Sequence, residues 1–196
     1  GVPGDVYWGY GTSAATAAVA LAAPFLGAVG DYRGMKKKLF GFFLVLGLLF
    51  TLSMALTDNW RMMLAGYVFA YVGFTGSCLF YDSFLTDVTT RDRMDRVSAW
   101  GYAMGYIGGS TIPFILSIGI LLFMGMDNPM AVKASVLLTV VWWAVFSIPM
   151  LRNVRQMHYV ETPRTELVRN TLRNLLDTAR AILRDRGMVV FMIAYF

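Results

Sequence analysis

Residues 39–56 read LFGFFLVLGLLFTLSMAL, eighteen residues without one charged side chain. Crossing the hydrocarbon core of a bilayer as a helix takes about 20 predominantly apolar residues, so this run is long enough to span. Four more runs of the same kind flank it, roughly Val6–Gly30, Met62–Leu85, Ala99–Met126 and Ala131–Leu151. Inside lipid the backbone must satisfy its own hydrogen bonds, which leaves helices or closed barrels. Barrel strands run about 10 residues and alternate polar with apolar side chains; these runs are too long and too continuous for that. The predicted fold class is all-α, a polytopic transmembrane helix bundle.

Composition agrees. Hydrophobic residues make up 57% of the 196-residue chain and charged residues 15%, against about 45–50% and about 25% in soluble domains. A soluble fold would leave large apolar patches exposed. The formal charge of +5 resides mainly in short clusters between apolar runs, a membrane pattern rather than a nucleic-acid footprint. The expected partner is therefore the lipid bilayer, with no nucleic acid. The one cysteine, Cys78, lies inside an apolar run and allows no disulfide within the chain. With a single histidine, His158, no multi-histidine metal site is available. No catalytic residues, metal ligands or cofactor are expected.

The connections alternate in charge. Asp58-Asn59-Trp60 and Asp127-Asn128-Pro129 are short and poor in basic residues. Asp31–Lys38 carries Arg33, Lys36, Lys37 and Lys38, and Asp87–Arg96 carries Arg91, Arg93 and Arg96. The stretch after Leu151 carries eight arginines, from Arg152 to Arg186. Fifteen of the seventeen lysines and arginines thus fall on one side, leaving Arg61 and Lys133 on the other. The positive-inside rule makes the basic side cytoplasmic and places Gly1 outside.

The chain does not begin with Met, and its first apolar run lacks a basic leader and is too long for a signal peptide. Residues Gly187–Phe196 open another apolar run that stops after ten residues. Both ends are expected to be cuts in a longer protein, with a short interfacial tail as the alternative at the C-terminus. One helix before Gly1 is the simplest complement. The five full spans are then the second to sixth helices of the whole. The expected division is a transmembrane bundle over 1–151, a cytoplasmic amphipathic linker over 152–186, and the truncated start of a second bundle over 187–196. In the linker, Thr162-Pro163 is a helix-start signal. Val168, Leu172, Leu175, Leu176, Ala179, Ile182 and Leu183 follow at helical spacing, with arginines on the other faces. Such a helix lies in the membrane interface or packs on the cytoplasmic helix ends; the two readings are compatible.

Small residues crowd the first run, from Gly9 to Gly30. They let helix backbones approach closely in lipid, which predicts a helix buried in a bundle. The loop after it reads GAVGDYRGMKKK, Gly27–Lys38. This resembles the major-facilitator signature G-x-x-x-D-R-x-G-R-[RK] between helices two and three. Gly27, Asp31, Gly34 and Lys36 match in spacing; Tyr32 and Met35 replace basic residues, while Arg33 and Lys37 stand one step away. The resemblance implies a partial major-facilitator fold, with Asp31 gating through a helix N-terminus in the other half, a contact the helix dipole favours. The other reading is an ordinary tight turn, with Gly34 for its backbone and lysines for topology.

A second stretch, Asp95–Gly109, reads DRVSAWGYAMGYIGG. With Arg184-Asp185-Arg186 and the residues up to Phe196, it is similar to the vacuole-effluxer branch of that superfamily. This branch contains fungal autophagy-related vacuolar amino-acid effluxers and a bacterial group. It is not the superfamily's antiporter motif, so antiport is not inferred. Gly101, Gly105, Gly108 and Gly109 bare one helix face, and Pro113 should bend the helix. That suits either a moving interface in alternating access or close static packing.

Ionisable groups within the runs are few. Asp82 is the clearest, and intramembrane carboxylates are functional candidates by default. It is a candidate for a proton or a cationic substrate group, or else an anchor pairing with Arg91, Arg93 or Arg96. Tyr67 and Tyr71 are further polar candidates on the same helix. Trp142 and Trp143 lie mid-span, where packing is the expected role. By resemblance the function is secondary active transport of small organic solutes by alternating access, with protons as a coupling ion and amino-acid efflux as the family's theme. The expected location is the bacterial inner membrane. A non-transporting membrane sensor or scaffold of the same fold competes with this. A membrane-embedded enzyme is the weakest reading, because no His, Cys, Asp and Glu cluster is visible.

Overall fold

The computed structural model describes residues 4–161, 173, 177 and 180–195. Among these the chain is helical, with no strand beyond one isolated parallel bridge between Tyr32 and Val160. Helices α1 (Gly4–Gly30), α2 (Met35–Ala55) and α3 (Trp60–Ser83) are followed by a short turn of helix α4 (Leu85–Val88) and a 3₁₀ turn over Arg91–Arg93. The fourth span is composite: α5 (Met94–Met104), a π-helical stretch over Gly105–Thr111, and α6 (Ile112–Met124). Helix α7 covers Pro129–Asn153 and α8 covers Arg186–Tyr195. Five segments are long and apolar enough to cross a membrane: Val6–Gly30, Met35–Ala55, Trp60–Val88, Arg91–Met124 and Pro129–Asn153. The all-α polytopic class read from the sequence is therefore correct.

Capping residues account for the boundaries. Asn59 and Asn128 each sit in extended backbone before a helix, and their side chains accept from the N–H of Arg61 at 2.9 Å and Met130 at 3.0 Å. These bonds satisfy N–H groups that a helix start leaves unpaired. The two asparagine turns lie at the same end, and Lys133 ties them together through Asp58 at 2.7 Å. Helix α2 begins four residues before the expected Leu39, because Gly34 turns the chain with φ 71°, a conformation open to glycine. The lysines read as loop therefore stand in the first turn of α2. Asp185 caps α8 by accepting from the N–H of Gly187 at 2.9 Å and Met188 at 3.2 Å.

Helix α3 packs against both α1 and α2, α2 also packs on α7, and α7 packs on α6. The spatial order is thus α1, α3, α2, α7, then the fourth span. The closest approach is the α2–α3 crossing, where a Cβ on Gly73 would run into the Gly47 backbone and one on Gly76 into the Phe43 ring. Glycine at these points lets apolar helices touch where packing, not water exclusion, drives association. Beside the crossing, Phe40, Phe43, Leu44, Phe80 and Phe84 form the core, with Phe43 and Phe80 stacked at 6.0 Å.

Among the described residues, α1 packs along one face: Ala15 and Val19 are buried, while Gly9 and Gly27 have nothing within 4 Å of a Cβ position. A Cβ on Gly101, Gly105, Gly108 or Gly109 would likewise meet nothing within 4 Å among these residues. The expected amphipathic helix from Thr162 onward lies largely outside the described residues.

Candidate functional site

At the basic end, the sequence brings three separate segments together. Lys36 and Asp87 form a buried ion pair at 2.7 Å, with only 6% and 0% of their side chains exposed. Lys36 Nζ also donates to the Ser83 carbonyl at 3.1 Å and lies 5.3 Å from the centre of the Phe84 ring. The other Asp87 oxygen accepts from the backbone N–H of Met157 at 2.9 Å and of His158 at 2.8 Å, with His158 Nδ1 3.2 Å away. A buried charge persists only when it is paired and hydrogen-bonded, and both conditions are met here.

The segment after α7 forms a strap across this end. Gln156 donates to the Gly30 carbonyl at 3.0 Å and accepts from the Gly34 N–H at 2.9 Å, clasping the α1–α2 loop from both sides. Lys37 Nζ donates to the Val154 carbonyl at 2.8 Å, and Val160 N–H donates to the Asp31 carbonyl at 2.9 Å. Arg33 reaches Glu161 at 3.3 Å in an exposed pair, which contributes little stability.

The structure places the gating-motif candidates unevenly. The Gly27 carbonyl accepts from the Asp31 N–H at 3.2 Å and closes the turn. Lys36, Lys37 and Gly34 are all engaged with α3, α4 or the strap. The Asp31 carboxylate is exposed and makes no hydrogen bond or ion pair with another described residue. Sequence reasoning missed Asp87 and Gln156. Asp87 looked like any other acid of a charged loop, and only its position two residues beyond an apolar run hinted at burial. Nothing in the sequence distinguished Gln156.

The second feature is an aromatic groove between α3 and the fourth span, floored by α7. One part, of about 580 Å³, is lined by Tyr67, Tyr71, Ser77, Cys78 and Trp142 among others. A second part, of about 860 Å³, is lined by Asp82, Gly101, Tyr102, Gly105 and Tyr106 among others. Phe74, Tyr81, Gly109, Phe146 and Met150 line both, so the two parts are continuous. Gly101, Gly105 and Gly109 of the fourth span therefore face the groove, and their missing side chains widen it. Tyr67 and Tyr71 line it with their rings, while their hydroxyls lie 3.3 Å from Thr12 Oγ1 and 3.5 Å from Thr16 Oγ1 on α1.

Asp82 lines the wider part of this groove. The alternative anchor through Arg91, Arg93 or Arg96 does not form among the described residues; Arg93 contacts Asp92 instead, at 3.8 Å. The chain turns through α4 before it reaches those arginines, and the cation nearer that helix end, Lys36, is held by Asp87. Opposite, Trp142 does more than pack: its Nε1–H donates to the Gly108 carbonyl at 2.8 Å.

Five apolar spans, with a solute-sized groove beside α3, α7 and the fourth span and a buried ion pair at one end, define an integral multi-pass membrane protein. The chain belongs to the family described as "Vacuole effluxer Atg22 like", which matches residues 6–95 and 86–196. The resemblance carried by Asp95–Gly109 and the chain's last residues is thereby borne out. The chain is also 40% identical over 197 residues to the "Uncharacterized MFS-type transporter YxiO" of Bacillus subtilis (strain 168). That alignment covers 97% of this chain and 46% of the relative, so the chain spans about half the length of the curated relative it matches. No solved structure matches significantly.

Proposed function

We propose that this chain is the N-terminal part of a secondary active transporter of small organic solutes that works by alternating access. The observation that carries this reading is the pairing of a large groove between spans with a fastened end. An aromatic-walled groove of this size suits a small organic molecule, and the strap, Lys36 and Asp87 form a set of polar contacts that can be made in one state and broken in another. Major-facilitator bundles rock around a site near the bilayer midplane, and the name of the Bacillus subtilis relative supports the same class. On this reading the basic end faces the cytoplasm of a bacterial inner membrane. The loop holding Gly27, Asp31, Gly34, Lys36 and Lys37 is the gate, and Gly101, Gly105, Gly108, Gly109 and Pro113 lie where the halves move. Proton coupling and amino-acid efflux are the finer forms of the proposal.

The test is solute flux by the full-length protein in proteoliposomes, across a panel of amino acids and amines, with and without an imposed proton gradient. Gradient-dependent flux of any of them is the expected result. A correctly inserted protein that moves none overturns the transport reading in favour of a sensor or scaffold of the same fold.

A further inference from the structure

The walls of the groove carry an uneven chemistry. Its rings include Tyr67, Tyr71 and Tyr81 from α3, Tyr102 and Tyr106 from the fourth span, and Trp142 from α7. Among the described residues that line the two parts, Asp82 is the one acidic side chain, and none is a lysine, arginine or histidine. The cations of this end are elsewhere. Lys36 is buried against Asp87, and Arg91, Arg93 and Arg96 line neither part of the groove.

Aromatic faces carry negative potential and attract cations, most strongly where water is excluded. A lone carboxylate in low-dielectric surroundings acts in the same direction. An anionic solute would meet Asp82 with no compensating positive charge. The carboxylate of a zwitterion would find only neutral donors, such as Ser98, Ser110 and Asn153. A cation with an apolar body meets both a counter-charge and ring faces.

We propose that the groove binds an organic cation, a protonated or quaternary amine or its onium analogue on an apolar body, with Asp82 as counter-charge and the rings of Tyr81, Tyr102 and Tyr106 around it. This deepens the transport reading by naming a substrate class, and in that sense rests on it, but binding itself does not require turnover. Asp82 discriminates by charge: the same apolar body without its positive charge loses the counter-ion and the ring attraction together.

The test uses radiolabelled tetraphenylphosphonium, whose charge does not titrate, in a scintillation-proximity binding assay on the purified full-length protein in nanodiscs. Saturable binding is expected, displaced by unlabelled tetraphenylphosphonium and not by leucine. Asp82→Asn should weaken it by about tenfold or more, and Asp82→Glu should restore most of it, as a charge contact requires. Tyr106→Ala should bind more weakly than Tyr106→Phe, because the ring rather than the hydroxyl makes the contact. Thermal unfolding of each variant controls for folding. No saturable binding, or unchanged binding by a folded Asp82→Asn protein, overturns the proposal. Loss in Asp82→Asn that Asp82→Glu does not restore also counts against it, since that pattern reports shape rather than charge. If leucine is transported while tetraphenylphosphonium does not bind, the cation proposal fails and the transport reading stands. If the cation binds and no solute is moved, the transport reading fails and the site remains.

Discussion

Asp87 joins two parts of the chain that are far apart in sequence: one carboxylate oxygen holds Lys36 of α2 at 2.7 Å, and the other accepts the backbone N–H groups of Met157 and His158 in the strap. Because both side chains are almost fully buried, removing one partner leaves the other charged and unsolvated. Asp87→Asn should therefore lower stability by about 3–5 kcal/mol, read as a fall in Tm of the full-length protein in detergent. Lys36→Met should cost less, since Asp87 keeps its two backbone donors. The pair Lys36→Met with Asp87→Leu should recover only part of the loss, because the strap then has no acceptor. A Tm unchanged in Asp87→Asn would show that the pair contributes no stability.

The two sets of glycines should respond in opposite ways to alanine. At Gly73 a Cβ runs into the backbone of Gly47, and backbone cannot swing aside, so Gly73→Ala should cost about 1–3 kcal/mol through overpacking. At Gly105 a Cβ meets nothing within 4 Å. Alanine there should leave the fold intact, or stabilise it by up to about 1 kcal/mol through helix propensity, while narrowing the groove. Thermal unfolding separates the two; equal destabilisation would contradict the α2–α3 crossing described above.

These contrasts mark what the sequence made legible. Five spans followed from run length and absence of charge, and the basic end followed from where the lysines and arginines cluster. Burial of individual charges did not. Lys36, Lys37 and Lys38 form one charge run, yet only Lys36 points inward toward Asp87, a distinction set by helix phase after Gly34 turns the chain. Asp87 has the same local context as Asp92 and Asp95, which differ from it only in what the fold brings near. Dense glycine drew attention to residues 101–109, whereas the tight crossing uses Gly47, Gly73 and Gly76, isolated within ordinary apolar runs. Density is visible in a sequence; which face meets another helix is not.

The π-helical stretch gives Trp142 a definite task. Ile112 donates its N–H to Ile107, and Pro113 has no N–H to give, so the helix ladder leaves the Gly108 carbonyl without its usual donors. Trp142 Nε1 supplies one at 2.8 Å. Trp142→Phe should therefore cost about 1–3 kcal/mol, the penalty for an unsatisfied acceptor away from water. Pro113→Ala offers a new N–H within reach of the same stretch, so Trp142→Phe should cost less in that background, with a coupling of about 1 kcal/mol in a double-mutant cycle. Additive effects would show that the indole acts through packing alone.

Asp31 lies on the loop that Gln156 of the strap clasps, yet the two should fail in different assays. Gln156 satisfies both the Gly30 carbonyl and the Gly34 N–H, so Gln156→Ala should loosen the strap and cost about 1–2 kcal/mol, seen as faster amide exchange at Gly34. The Asp31 side chain touches no polar partner among the described residues, and Asp31→Asn should change stability by no more than about 0.5 kcal/mol. If the carboxylate instead meets a helix N-terminus in another state of the full-length protein, its loss removes a contact made only in that state. Flux should then fall several-fold with insertion and stability unchanged, as expected when one of two states loses about 1 kcal/mol. Flux equal to the parent protein's would remove Asp31 from the gate and leave the Lys36–Asp87 pair as the fastening of that end.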